Sequence, residues 1–302
     1  MLKAEALYAP TAYQEPWKKG PFSNFTDNHI HIDPIKGEGL EAVKKFERAG
    51  GKFLFLVGKT TRDWDLKPGE EGLQKLFDLT IDLSKKINEE TGVRSFPVIG
   101  IHPAEFVSMC GEFSLEEALE LGKRAMERAG ERIQEGEAVA LGEIGRPHFQ
   151  VEERILKACN ELLTYSLQMA SDIDCAVQLH TGSITEKHFE EFRELAVSVG
   201  LDPKRVVKHY SPPLIRAAEE AGIFPSLIAS QENIKKAVEE GNRFLMESDY
   251  IDDPDRPGAV VGPKSVPKVS LHLFDEGVLR EEDLWKIHKD NVEEVYGISL
   301  DT

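Results

Sequence analysis

The sequence predicts an α/β chain folded as a single (β/α)8 TIM barrel with an N-terminal extension and a C-terminal helix. Three observations predict it. Eight short apolar or β-branched runs alternate with longer amphipathic segments along the chain. Strands that are apolar throughout, and separated by helices, imply a parallel sheet covered on its faces. The alternative, an open doubly wound sheet, calls for a glycine-rich phosphate loop after an early strand, and no GxGxxG or Walker sequence occurs.

Residues 1–22 carry no periodicity and are expected to wrap the outside as an extension, with the barrel domain over 23–302. The first strand falls near 25–31, followed by a helix near 39–49, a strand at 52–58, a helix at 70–91 and a strand at 94–101. The rhythm continues with helix 115–134, strand 138–142, helix 152–171, strand 175–180, helix 186–199 and strand 205–209. A short helix at 212–221, strand 223–227, helix 231–240 and strand 243–247 complete the eight units, and a final helix from 281 to about 295 packs back on the barrel. Ser114 with Glu117, and Ser183 with Glu186, read as capping boxes that satisfy free amides at helix starts. Gly50, Gly130 and Gly200 fall where helices should stop. No internal repeat, low-complexity tract or linker divides the chain, so one domain is the simpler reading.

At 302 residues the chain can bury a large core. A formal net charge of -17 argues against extended, non-specific binding to nucleic acid, leaving a polyanion only a local site. Cys110, Cys159 and Cys175 show no paired spacing, so neither a disulfide framework nor a thiolate metal site is indicated. The first twenty or so residues lack the apolar run of a signal peptide, and no apolar stretch approaches the ~20 residues needed to cross a bilayer. The expectation is a reduced, soluble, cytoplasmic protein without a membrane partner.

The stretch from Phe25 to Asp33 contains His29 and His31 separated by one residue. On an extended strand alternate side chains share a face, so both imidazoles can present to one point while Ile30 and Ile32 face the other way. Neutral imidazole is the commonest nitrogen ligand for divalent ions, and Asp27 and Asp33 are close enough to hold the rings from behind.

Polar residues recur at the strand ends, where the loops of a barrel form its open mouth. Glu143 follows Ala-Val-Ala-Leu-Gly, His180 follows Ala-Val-Gln-Leu, His209 follows Val-Val-Lys, and Asp249 follows Phe-Leu-Met-Glu-Ser. Four imidazoles and two carboxylates exceed the ligand set of one tetrahedral zinc. They suit two divalent ions about 3.5–4 Å apart with a bridging carboxylate. The expected assignment puts His29, His31 and Asp249 on one ion, His180 and His209 on the other, and Glu143 on both. Zinc, manganese or magnesium would serve, since such donors accept several metals.

In this order the residues resemble the TatD family of metal-dependent hydrolases, within the amidohydrolase superfamily. The likeness runs through Asp27 to Asp33, Gly100-Ile-His-Pro103, Gly142-Glu-Ile-Gly145, His180, His209, Glu247-Ser-Asp249 and the segment from Asn291 to Gly297. The resemblance implies a (β/α)8 barrel with a mononuclear or binuclear metal site, hydrolytic chemistry, and commonly DNase or phosphodiesterase activity. It implies ligand roles for His29, His31, Glu143, His180, His209 and Asp249. The chain also departs from the family: where Leu-Asp usually follows the second glycine, Arg146-Pro147-His148 stands here, and Thr181-Gly182 replaces the frequent Ser-Arg after His180. The metal chemistry therefore transfers better than the substrate.

The expected mechanism is attack by metal-activated water on a phosphorus or carbonyl centre, with Asp249 as ligand and proton acceptor and Glu143 bridging. Candidates for holding substrate are His102, Arg146 and His148, with Tyr210 at the rim and Lys264 and Ser265 opening a helix after the eighth strand. His188, His272 and His288 lie in helical stretches and read as packing or surface residues. The leading substrate is a phosphodiester, small or a nucleic-acid end. The rivals are an amide, lactone or ester, and a non-catalytic metal-binding scaffold.

Overall fold

A computed structural model describes residues 22–301, so the expected extension, apart from Phe22, lies outside the described residues. Eight parallel strands pair in sequence order: β1 (Phe25–His31), β2 (Gly51–Val57), β3 (Arg94–Ile99), β4 (Ala140–Gly145), β5 (Ala176–His180), β6 (Val206–Lys208), β7 (Phe224–Ile228) and β8 (Leu245–Glu247). The ring closes through β9 (Tyr250–Ile251), a continuation of β8 beyond Ser248 and Asp249. β8 lies beside β7, whereas β9 sets Tyr250 opposite Ile30 and Ile251 opposite His31. Asp249 N–H donates to the His29 carbonyl at 2.9 Å and Asp252 N–H to that of His31 at 3.1 Å, which seals the seam.

Side-chain alternation builds two layers. Phe53, Phe55 and Val57 of β2 point into the barrel with Phe96, Val98, Ala140, Ala176 and Val207. Leu54 and Leu56 point outward onto Val43 and Phe46 of helix α1 (Leu40–Arg48). Burial of each large apolar side chain contributes about 1.5–3 kcal/mol. The outer layer continues with α2 (Glu70–Glu90), α3 (Pro103–Glu112), α4 (Leu115–Gln134), α5 (Glu153–Asp172) and α6 (Glu186–Ser198). It is completed by α7 (Ile215–Glu220), α8 (Gln231–Glu240), α9 (Ser265–Asp275), α10 (Glu281–Trp285) and α11 (Asn291–Tyr296). Val292, Val295 and Tyr296 of α11 join the inner cluster beside Ala140 and Ala176, which open β4 and β5, so the last helix plugs the barrel where the strands begin.

Several local expectations need correction. Helix α3 was not anticipated; His102 caps it by accepting from Ala104 N–H at 2.9 Å, and Pro103 supplies a residue with no amide to satisfy. Ser183 does not cap α6: Thr185 does, with His188 reaching back to it. Gly50 and Gly200 follow helices with φ of 103° and 80°, but Gly130 lies inside α4. A Cβ at Gly130 would stand 2.9 Å from Met169 Sδ, so the glycine allows close packing of α4 on α5. The final helix is interrupted by a π-helical turn at Lys286–Asp290, which carries His288 into the interior. No helix among the described residues is long and apolar enough to cross a membrane.

Candidate metal centre

The two histidines of β1 are aimed by a bulge. Asp27 stands opposite Leu54 and Ile30 opposite Leu56, so three steps on β1 match two on β2, and the extra residue turns both Asn28 and His29 into the barrel. His31 shares that side, while Ile30 and Ile32 pack outward near α1. Each ring is then fixed from behind. Nδ1 of His29 lies 2.7 Å from Gln178 Oε1, and Nδ1 of His31 lies 3.1 Å from the Val57 carbonyl. Both partners only accept, so each Nδ1 carries a proton and each Nε2 is left to face the mouth. The two Nε2 atoms stand 3.1 Å apart. Two nitrogens bound to one ion at about 2.0–2.1 Å would be spaced similarly.

Glu143 sits at a second bulge, between the pairs Leu141–Val177 and Ile144–Leu179. The glycines around it are required by contact. A Cβ on Gly145, whose φ is 145°, would lie 2.0 Å from the His180 carbonyl, and one on Gly142 would lie 2.9 Å from Gln178 Cβ. The carboxylate so placed divides its oxygens. Oε2 is 3.6 Å from Nε2 of both His29 and His31; Oε1 is 2.7 Å from His180 Nδ1 and 3.2 Å from His209 Nε2. Asp249, held with φ 47° where β8 passes to β9, brings Oδ1 within 3.8 Å of His29 Nε2 and 3.6 Å of His31 Nε2.

Behind these groups runs a buried hydrogen-bond network. Gln178 donates to the Asn28 carbonyl at 3.0 Å and to Tyr296 Oη at 2.7 Å, and Tyr296 donates to Asn28 Oδ1 at 2.7 Å. Asn28 in turn donates to Ser226 Oγ at 3.0 Å, and Ser226 to Glu247. Glu247 Oε1 accepts from Tyr210 N–H at 2.7 Å and lies 3.0 Å from His209 Nδ1, off the direction of a good hydrogen bond. Gln178, Glu247 and Tyr296 were not singled out as supports. Asp27 and Asp33, expected in that role, do other work: Asp27 accepts backbone amides of His29 and Ser248, and Asp33 pairs with Lys59 at 2.8 Å and caps the Ile35 and Lys36 amides.

The electrostatics are those of a pocket rich in electron pairs. Burial pulls the His209 imidazole down, but the carboxylates of Glu247 and Glu143 outweigh it and hold it at about 10. Burial likewise pulls the His31 imidazole down, but Asp249 and Glu143 outweigh it and raise it above the ordinary value. Burial pushes the Glu143 and Asp249 carboxyls up, yet the surrounding imidazoles hold both below the usual range. Lys208, buried beside His209, is drawn down to about 8 by burial despite nearby carboxylates. Converging imidazole nitrogens with carboxylate oxygens on both sides suit a divalent-metal site.

The expected ligands are thus together, with one difference in grouping. His209 stacks on His29 at 3.8 Å between ring centroids, and among the described residues the donor atoms of His29–His31–Asp249, of His29–Glu143–His209 and of His102–Glu143–His180 lie within 4.8 Å of one another in each set. His180 and His209 meet through Glu143. His102 joins this group, its Nε2 4.0 Å from Glu143 Oε1; because its Nδ1 accepts from Ala104, the neutral ring carries its proton on Nε2 and presents a donor to the mouth. His148 Nδ1 lies 2.9 Å from His180 Nε2. The Tyr210 ring is exposed at the rim. Arg146 is engaged elsewhere, with Asn160 Oδ1 at 2.6 Å and Glu191 Oε1 at 2.7 Å. Lys264 and Ser265 begin α9 and make no hydrogen bond or ion pair to the cluster among the described residues.

The family described as TatD related DNase matches residues 26–297. The chain belongs to the TatD family. An uncharacterized protein of Methanocaldococcus jannaschii, MJ1127, is 43% identical over 278 residues, which is 91% of this TatD chain and 96% of that protein. The crystal structure of YJJV, a TatD homolog of Escherichia coli K12, superposes with a TM-score of 0.62 at 19% identity, covering 91% of this chain and 99% of the other. The phosphotriesterase homology protein of E. coli, solved with phosphate in its active site, gives 0.59 at 11% identity over 91% and 99%. An organophosphorus hydrolase of Deinococcus radiodurans gives 0.57 at 14% over 91% and 92%. At these identities the structural likenesses establish that TatD chains share a fold with the others.

Proposed function

We propose that this chain is a metal-dependent hydrolase of phosphodiesters, acting on a small diester or a nucleic-acid end, with two divalent ions of zinc, manganese or magnesium. The observation that carries the reading is the division of Glu143, one oxygen facing the His29–His31 pair and the other facing His180 and His209. His29, His31 and Asp249 would hold one ion, His180 and His209 the other. When bound, such ions lower the pKa of water to about 7 and draw charge from the scissile oxygen.

The chain supplies the rest. Asp249, kept ionised by the imidazoles around it, takes the proton of the attacking water and passes it to the leaving oxygen. His102 is pulled down to about 3, chiefly by burial, and so remains a neutral Nε2–H donor for charge developing on the substrate. Tyr210 offers an exposed ring for a base or aryl group. A second reading, hydrolysis of a lactone or carboxyl ester, is favoured by Arg146: its guanidinium is tied to Asn160 and Glu191 instead of standing free for a phosphate. Free Cys110, Cys159 and Cys175 suit a cytoplasmic setting.

The test is turnover of nitrophenyl phosphodiester, carboxyl ester and lactone reporters in Mn²⁺. Phosphodiester turnover abolished by Asp249→Asn, with metal still bound, supports the leading reading. Turnover of esters or lactones alone transfers it to the second, and no turnover of any reporter with metal bound leaves a scaffold.

A further inference from the structure

Two of the four ligand-bearing rings are braced by hydrogen bonds from the barrel itself, His29 by Gln178 and His31 by the Val57 carbonyl, and His209 Nδ1 lies 3.0 Å from the buried carboxylate of Glu247. His180 differs. Its Nδ1 is 2.7 Å from Glu143 Oε1, on the side proposed for the second ion, and among the described residues its Nε2 has His148 Nδ1 as its hydrogen-bond partner, at 2.9 Å, on the loop after β4. A neutral imidazole has one proton, so a ring that turns Nδ1 to an ion must carry that proton on Nε2 and needs an acceptor there.

We propose that His148 is the positioning residue of the second metal subsite: its Nδ1 accepts the Nε2 proton of His180 and holds Nδ1 of His180 toward Glu143. This rests on the two-ion reading above. The loop is built to place the ring. Arg146 N–H donates to the His180 carbonyl at 2.9 Å, and the Arg146 guanidinium ties the loop to Asn160 of α5 and Glu191 of α6. The residue after β5 that lies under His148 is Gly182, where a Cβ would come 3.7 Å from His148 Cα. The Phe149 ring stands edge-on to His148 at 5.4 Å. Because His148 is exposed, the second subsite depends on a surface loop while the first depends on the core.

The test is Mn²⁺ binding by competition with a fluorescent chelator, on the full chain and on His148→Phe and His148→Asn, each checked by thermal melting. The expected result is two ions on the wild type. His148→Phe keeps the tighter ion at wild-type affinity and binds the other about 10–100-fold more weakly. His148→Asn, whose Oδ1 can accept the same proton, recovers most of the loss. Two wild-type affinities in His148→Phe overturn the proposal, as does an equal loss in His148→Asn, because the acceptor would then be irrelevant. A wild type that takes up one ion or none overturns the two-ion reading instead.

Discussion

The charge state of His209 makes metal affinity depend on pH in a range where ordinary histidines do not. In the metal-free chain its imidazole lies between Glu143, 3.2 Å from Nε2, and Glu247, 3.0 Å from Nδ1, and it is held at about 10 against an ordinary 6.5. A group whose pKa is raised keeps its proton until the pH passes the raised value. Nε2 must lose that proton to bind an ion, so affinity rises with pH by about tenfold per unit, and continues to rise up to about pH 9. Unperturbed imidazoles would give a curve that levels off above about pH 7.5. The assay is Mn²⁺ affinity by chelator competition at about pH 7, 8 and 9, with proton release followed in weak buffer. Glu247→Gln removes one of the two carboxylates holding the proton and should flatten the upper part of the curve. An affinity already constant between about pH 7.5 and 9 in the wild type would refute the reasoning.

Other expectations follow from single contacts. His288, fully buried with Nδ1 accepting from Thr26 N–H and Nε2 at 2.9 Å from Ser270 Oγ, is pushed by burial down to about 3. A depressed histidine stabilises the fold fully above about pH 6.5 and loses that contribution as the pH falls toward 3, so His288→Gln should cost about 2 kcal/mol less at pH 5 than at pH 7 by urea unfolding with chelator present; an equal cost at both would refute it. Gln178→Leu, which frees His29 Nδ1, should weaken Mn²⁺ binding about 10–100-fold, read by the same chelator competition. Gly145→Ala drives a methyl into the His180 carbonyl, and thermal melting should show a loss of at least about 2 kcal/mol. An unchanged midpoint would mean that the loop after β4 relaxes freely.

The barrel was legible because every strand has an inward and an outward set, as in Phe53, Phe55 and Val57 against Leu54 and Leu56. The donor set was legible because polar side chains ending apolar strands, such as Glu143 and His209, have little structural reason to be there. The supports were not. Gln178 lies inside β5 and Glu247 ends β8, and neither shows a supporting role until Tyr296, more than a hundred positions after Gln178, closes the hydrogen-bond chain between them. Lys208 was hidden similarly, as one charged residue in an apolar run. The crossing of β8 to β9 depends on the left-handed turn at Asp249, and α3 on a cap by His102 and Pro103; neither leaves a periodic trace. The exchange of Asp33 from a histidine brace to a partner of Lys59 follows from three-dimensional proximity alone.

The central claim is that His29, His31, Glu143, His180, His209 and Asp249 share a pair of cations. Crystals grown with Mn²⁺ or Zn²⁺ and measured at the metal's absorption edge test it directly. The predicted result is two anomalous peaks about 3.5–4 Å apart, one between His29 and His31 and the other beside His180, with Glu143 touching both. Full metal in solution but no peak within ligand distance of His29 and His31 would contradict it.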